Sequence, residues 1–202
     1  MATNTSANQA IEIVSAPSEL GYIAVAVRNG RLCGVSFGEA TAAAAERRVR
    51  RCAEEITFAR GVSHHGADDA DPAKIVGRLV RYASGVQVPL DDLPLGLAPM
   101  TGFQRRVVAA CRAIPYGQTR TYGQLAASAG SPGAARAAGQ VMASNRIPLV
   151  IPCHRVVAAN GGLGGFSAPQ GTAMKRRLLA LEAAAISSGA AKLDAADRRR
   201  KG

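Results

Sequence analysis

Apolar and polar positions alternate in short runs over the first part of the chain, then give way past its midpoint to apolar positions spaced three and four apart. From Glu12 to Gly38 the alternation is strand-like. Ala24-Val25-Ala26-Val27 faces Leu32-Cys33-Gly34-Val35 across Asn29-Gly30, a dipeptide that tolerates positive φ and so predicts a type I′ hairpin turn. Ala40 to Cys52 is Ala-rich with Arg47, Arg48 and Arg51 at helical spacing, and predicts an exposed helix. Asp71-Pro72 reads as the cap of another, with Ile75, Leu79 and Tyr82 on one face and Gly85 at its end. Val86-Gln87-Val88-Pro89-Leu90 predicts a short strand, and the Pro/Leu-rich stretch to Pro99 a linker.

From Thr101 the pattern predicts short helices. Thr101-x-x-Gln104 is a capping box, followed by Phe103, Val107, Cys111 and Ile114 on one face, and Pro115 and Gly117 stop the helix. Thr121-x-x-Gln124 is a second capping box whose helix ends at Gly130; Ser131-Pro132 opens a third helix, through Arg136 and Val141 toward Asn145. Helix, tight turn, helix is the pattern of a helix-turn-helix. Gly171 to Ala185 predicts a last helix with Leu178, Leu179 and Leu181 inside and Lys175, Arg176 and Arg177 outside. The organisation expected is a polar tail (1–9), an α/β support domain (10–92), a linker (93–100), a mostly helical domain (101–188) and a basic tail (189–202).

Charge changes this picture. The chain has 202 residues and a net charge of +11, and the two halves differ. Residues 1–100 hold 10 Lys or Arg against 11 Asp or Glu, whereas residues 101–202 hold 15 against 3. A basic helical half is the footprint expected of a phosphate-binding surface; a merely solvated Arg-rich surface is the bland alternative, and no basic amphipathic helix with bulky anchors points to a membrane. No apolar run approaches a membrane span, and Met1-Ala2-Thr3-Asn4-Thr5 has no basic leader region, so a cytoplasmic protein is expected. Cys33, Cys52, Cys111 and Cys153 form no C-x-x-C pair, which predicts neither a disulfide framework nor a zinc module. His64-His65 lies in a polar loop without partners at ligand spacing, so no metal and no cofactor are expected.

The candidate chemistry lies in Ile151-Pro152-Cys153-His154-Arg155-Val156-Val157. A thiol attacks as its thiolate, which a neighbouring imidazole, cation or helix N-terminus can favour. Pro152 suits the first turn of a helix. Between residues 101 and 190 there is one histidine, His154, and one carboxylate, Glu182. These are the conventional partners for a Cys-His-Glu relay. The helix around Arg136 is otherwise small: Gly133, Ala134, Ala135, Ala137, Ala138 and Gly139. Such a face can approach a groove closely but is poorly equipped to read base edges. Asn160 to Ser167 is glycine-rich without the Gly-Lys-Ser/Thr ending of a phosphate loop.

Phe103-Gln104, Ile114-Pro115-Tyr116-Gly117, Thr121-Tyr122-Gly123-Gln124-Leu125, Ala134-Ala135-Arg136-Ala137 and Pro152-Cys153-His154-Arg155-Val156-Val157 stand in order, and together the stretch from Thr101 to Glu182 resembles the O6-alkylguanine-DNA alkyltransferases. The resemblance implies a small ribonuclease-H-like α/β N-terminal domain followed by a mostly helical domain with a winged helix-turn-helix. It implies irreversible transfer of an alkyl group from O6-alkylguanine in double-stranded DNA, with O4-alkylthymine a second candidate, to Cys153 after the nucleotide is flipped. His154, reached through a bound water, and Glu182 would assist the thiol, and Tyr122 would hydrogen-bond the purine. Arg136, with Ala134, Ala135 and Gly139, would face DNA, and Arg136 would fill the vacated space. Val156, Phe166 and Ser167 would line the base pocket; Asn145 and Pro152 would hold the active-site loop. Phe166 stands where the family often has Tyr, and the Trp usual after the Phe-Gln helix start is absent, with Val107-Val108 there. A monomer without an obligatory protein partner is expected. The rivals are a non-catalytic lesion-binding protein of the alkyltransferase-like kind, a helix-turn-helix transcription regulator, and a Cys-His protease, whose Cys and His normally lie far apart in sequence.

Overall fold

The computed structural model describes residues 10–56 and 70–188. The expected tails and His64-His65 lie outside the described residues.

The first half is an antiparallel meander of β1 (Glu12–Ala16), β2 (Tyr22–Arg28) and β3 (Arg31–Glu39) in that order. The hairpin turn is the one predicted, with Asn29 at φ 56° and Gly30 at φ 66°. In β2, large and small residues alternate. Ala24 and Ala26 meet Ala45, Val49 and Ala53 of helix α1 (Ala42–Glu54), while Ile23, Val25 and Val27 face the larger core. Small side chains let the helix lie close to the sheet. The helix expected to be exposed therefore buries one full stripe and exposes Arg47, Arg50 and Arg51, with Arg48 half-buried. On the other face lies α2 (Pro72–Ala83), capped by Asp71, whose carboxylate accepts from the Ala73 and Lys74 amides. Its Ile75, Leu79 and Tyr82 are buried.

Val86–Leu90 is not a strand: Pro89 has no amide to donate, and the segment pairs with no strand among the described residues. The edge of β3 is taken instead by the segment expected to be a linker. Leu95 bridges Leu32, with Leu32 N donating to Pro94 O and Gly96 N to Leu32 O, each at 2.9 Å. Farther along, Val35 N donates to Arg146 O at 3.0 Å. Covering an edge in this way prevents it from pairing with another chain.

The second half contains α3 (Gly102–Arg112), β4 (Arg120–Thr121), α4 (Tyr122–Ser128), α5 (Ala135–Ala143), a single 3-10 turn (Cys153–Arg155), β5 (Val156–Val157) and α6 (Gly171–Ser187). Both capping boxes are formed in full at Thr101/Gln104 and Thr121/Gln124. Helix α5 begins at Ala135 rather than at Ser131: Gly133 at φ 91° interrupts the helical path, Ser131 O accepts from Ala134 N in a tight turn, and Ala134 supplies no side-chain cap. In α6, Leu178 is buried and Leu179 and Leu181 are half-buried, but Lys175 is fully buried rather than solvated. One apolar cluster runs from Leu20, Val35 and Tyr82 of the first half to Val107, Leu125, Ile151 and Leu178 of the second. The fold is a mixed α/β arrangement with a three-stranded sheet, a two-stranded pair and six helices among the described residues.

Candidate active site

The stretch that carries Cys153 is held by backbone geometry and one amide side chain. Pro152 sits at φ −78°, ψ 63° with Cys153 N donating to Ile151 O at 2.7 Å, an inverse γ-turn. Pro152 thus bends the chain into the 3-10 turn instead of opening a regular helix. Upstream, Leu149 adopts φ 71° while fully buried, a conformation that costs on the order of 1–3 kcal/mol and persists only where the surroundings impose it. Asn145 supplies much of that constraint. Its Oδ1 accepts from Ile147 N at 3.0 Å, and its Nδ2 donates to Ile151 O at 2.8 Å and to Cys153 Sγ at 3.2 Å. The residue just past α5 therefore grips both ends of the loop and the sulfur.

Cys153 is 5% exposed. Burial pushes its thiol pKa up, opposed by the Asn145 donor, the Lys175 charge and local backbone amides. The neighbouring donors and cation do favour the thiolate, but desolvation outweighs them and holds the thiol above its ordinary pKa. Attack then requires a base that removes the proton as the substrate reacts.

His154 follows in the same turn, fully buried. Its Nε2 lies 2.9 Å from Glu182 Oε1 and 3.1 Å from Tyr82 Oη. Glu182 also accepts from the Tyr82 hydroxyl at 2.5 Å, from Arg155 Nη2 at 2.9 Å and Nε at 3.1 Å, and from Gly117 N at 2.8 Å. Burial pushes the Glu182 carboxyl up, but the His154 and Arg155 donors outweigh it and bring it down to about 2. An ionised carboxylate only accepts, so Nε2 carries the imidazole hydrogen. That leaves Nδ1, buried and bonded to no described protein atom, as the free base position. Desolvation keeps His154 below its usual pKa despite Glu182, so at neutral pH the ring is neutral and able to take a proton. Gly117 permits the amide contact: it sits at φ 74°, and a Cβ there would come within 2.0 Å of Ile186 Cδ1.

The parallel pair Arg120–Val156 and Thr121–Val157 ties the residues after Cys153 to the start of α4, which brings in Tyr122. Its ring borders Gly139 of α5 and Gly164 of the glycine-rich loop, where a Cβ would lie 3.7 Å and 3.0 Å from it. Its hydroxyl pKa is raised by burial and by the nearby Cys153. Lys175 Nζ lies 5.8 Å from the Tyr122 ring centre and donates to Val156 O at 2.5 Å. Val156 is buried in β5, Phe166 is half-buried against Phe37 with ring centres 6.2 Å apart, and Ser167 is exposed with its carbonyl accepting from Arg48. A cavity of about 230 Å³ has Asn145, Phe166 and Ser167 on one wall and Ser36, Phe37, Arg48 and Glu55 on the other. Arg136 is exposed on α5, with Ala134, Ala135 and Gly139 half-buried beside it.

Three participants were missed from sequence. Arg155 lay inside the motif but received no partner. Lys175 was read as solvated, and Tyr82 sits 72 positions before His154 in a half assigned only a supporting role; no local pattern marks either. Among the described residues no three His, Cys, Asp or Glu side chains gather as a metal site, and no helix is long and apolar enough to cross a membrane.

Residues 102–184 match the family model described as 6-O-methylguanine DNA methyltransferase, DNA binding domain. The methylated-DNA–protein-cysteine methyltransferase of Mycobacterium tuberculosis is 41% identical over 128 residues, 63% of this chain and 75% of that protein. The chain belongs to the methylated-DNA–protein-cysteine methyltransferase family. The member from Methanothermobacter thermautotrophicus is 35% identical over 134 residues, 65% of this chain and 74% of its own. The solved M. tuberculosis OGT in complex with DNA superposes with a TM-score of 0.61 at 31% identity, covering 85% of this chain and 92% of that one. For the fold alone, the Pyrococcus kodakaraensis O6-methylguanine-DNA methyltransferase gives a TM-score of 0.59 at 24% identity.

Proposed function

We propose that this member of the family repairs O6-alkylguanine in double-stranded DNA by moving the alkyl group onto Cys153, once per molecule. The observation that carries the reading is the sulfur gripped by Asn145 beside a neutral His154 whose Nδ1 is free and whose Nε2 is held by an ionised Glu182. The thiol proton passes to Nδ1, directly or through a water, as sulfur attacks the alkyl carbon. The carbon–O6 bond breaks, its electrons stay on the purine, and the S–C bond forms. Overall the thiol's proton replaces the alkyl group on the base, so the balance needs no cofactor. Tyr122, beside both Cys153 and the glycine-rich loop, is the donor to the purine that eases its departure, a contribution of about 100- to 10,000-fold for general-acid assistance. The thioether has no easy route back.

The reactive carbon is inaccessible in stacked DNA, so the nucleotide is flipped, at a cost of a few kcal/mol. In this reading α4 and α5 are the helix-turn-helix of a winged domain, the small face of α5 meets the groove, and Arg136 fills the gap. Val156, Phe166 and Ser167 line the base pocket, with Asn145 and Pro152 holding the loop. The division into a ribonuclease-H-like domain (10–92), a linker (93–100) and an alkyltransferase domain (101–188), a monomeric state and a cytoplasmic location belong to the same reading. Intact-mass analysis after incubation with a duplex carrying O6-methylguanine tests it. Wild type should gain one methyl-for-hydrogen increment on Cys153 and Cys153→Ala none; folded, reduced wild type that stays unmodified would overturn the proposal.

A further inference from the structure

We infer that Tyr82 is a positioning residue of the alkyl-transfer site: from α2, its hydroxyl shares Glu182 Oε1 with His154 Nε2 and so sets how firmly the carboxylate holds the imidazole. The inference rests on the alkyl-transfer reading and extends the site into the first half of the chain, outside the segment 102–184 that carries the family match. Tyr82 is wholly buried, and its hydroxyl touches both members of the pair, Oε1 at 2.5 Å and Nε2 at 3.1 Å. Its ring stands edge-on to His154 and to Tyr116, with centres 6.4 Å and 5.8 Å apart.

Glu182 Oε1 has three kinds of suitor: the Tyr82 hydroxyl, His154 Nε2 and the Arg155 guanidinium. Each donor draws negative charge from that oxygen and weakens what the others receive. The groups around His154 are Glu182 and Lys175 of α6, Arg155 and Cys153 of its own turn, Tyr82 of α2, and Tyr116, whose ring underlies Arg155 at 5.5 Å. Tyr82 is the one among them that both touches Nε2 and bonds its carboxylate while carrying no formal charge. Removing the hydroxyl leaves Glu182 to His154 and Arg155, so the imidazolium is better stabilised and the ring is neutral only at higher pH.

The test is the pH dependence of methyl uptake from an O6-methylguanine duplex, under single-turnover conditions with the full chain. For Tyr82→Phe the acid limb should move up by about one pH unit, so that uptake below the limb falls about tenfold, while the alkaline plateau changes less than about threefold. A limb unmoved, or moved down, overturns the inference. Should the variant fail to fold, 3,5-difluorotyrosine placed site-specifically at position 82 keeps the ring and is a stronger donor; its limb should move down, and an unmoved limb overturns the inference equally. Wild type that takes up no methyl sinks the alkyl-transfer reading itself. Methylated wild type with a variant of identical profile sinks only the role given to Tyr82.

Discussion

Glu182→Gln tests the buried network most directly, because the structure allows its effect to be worked out in two ways. The folded carboxyl is held at about 2 against a reference of 4.5. A group whose folded pKa is lowered contributes stability that is complete above the unfolded value and is lost as pH falls through the folded one. With about 1.36 kcal/mol per pH unit, the contribution is roughly 3 kcal/mol at pH 7 and roughly 1.4 kcal/mol at pH 3. The second route considers what the substitution strands. Arg155, 8% exposed, keeps Ile114 O and the Tyr116 ring but loses its counter-charge, and breaking a buried pair from one side costs about 3–5 kcal/mol. The two routes agree. Urea unfolding of wild type and Glu182→Gln should therefore differ by about 3 kcal/mol at pH 7, equivalent to a fall in Tm of roughly 6–12 °C for a chain of this size, and the gap should shrink by about half or more at pH 3. A gap below about 1 kcal/mol at pH 7, or one indifferent to pH, would refute the account of Glu182 as an ionised hub.

Asn145→Ala removes the donor to the buried Ile151 carbonyl and to the sulfur; stability should fall by about 1–3 kcal/mol, and the Cys153 titration, followed by thiol alkylation against pH, should move to higher pH. Arg136→Ala acts on an exposed side chain of α5, so unfolding should change by less than about 0.5 kcal/mol, whereas affinity for lesion-bearing duplex should fall about tenfold in a titration at fixed salt. Unchanged affinity would count against a groove-facing α5.

How far the sequence carried the reading depends on how local each signal is. The Asn29-Gly30 hairpin, the Asp71 cap and the two Thr-x-x-Gln boxes are self-contained within four residues, and each stands where it was expected. Signals that depend on a partner fared worse. Val86–Leu90 alternates like a strand but pairs with none among the described residues, and the edge of β3 went to Leu95, whose Pro/Leu-rich surroundings suggested only a connector. Ser131-Pro132 has the composition of a helix start, yet Gly133 at positive φ moved that start to Ala135. Lys175 lies beside Arg176 and Arg177 and shares their apparent solvation, although packing of Tyr122 and the Val156 carbonyl around it draws it inside. At the candidate site, the meeting of the neighbours Cys153 and His154 with the scarce Glu182 was legible. Tyr82 and Arg155 were not, because hydrogen-bond partners chosen across the fold leave no periodic trace.

The Val35–Arg146 backbone bond, together with the Arg146 side chain's bonds to Cys52 O and the Glu55 carboxylate, fastens the two halves at a second line besides their common core. A hinge between the halves is therefore a poor place for motion: opening it would take Arg146 from both the Val35 amide and the Glu55 carboxylate. On the proposed base-flipping reading, entry would rely on the glycine-rich stretch between Asn160 and Ser167, so stiffening that stretch should slow methyl uptake while leaving the resting architecture as it is.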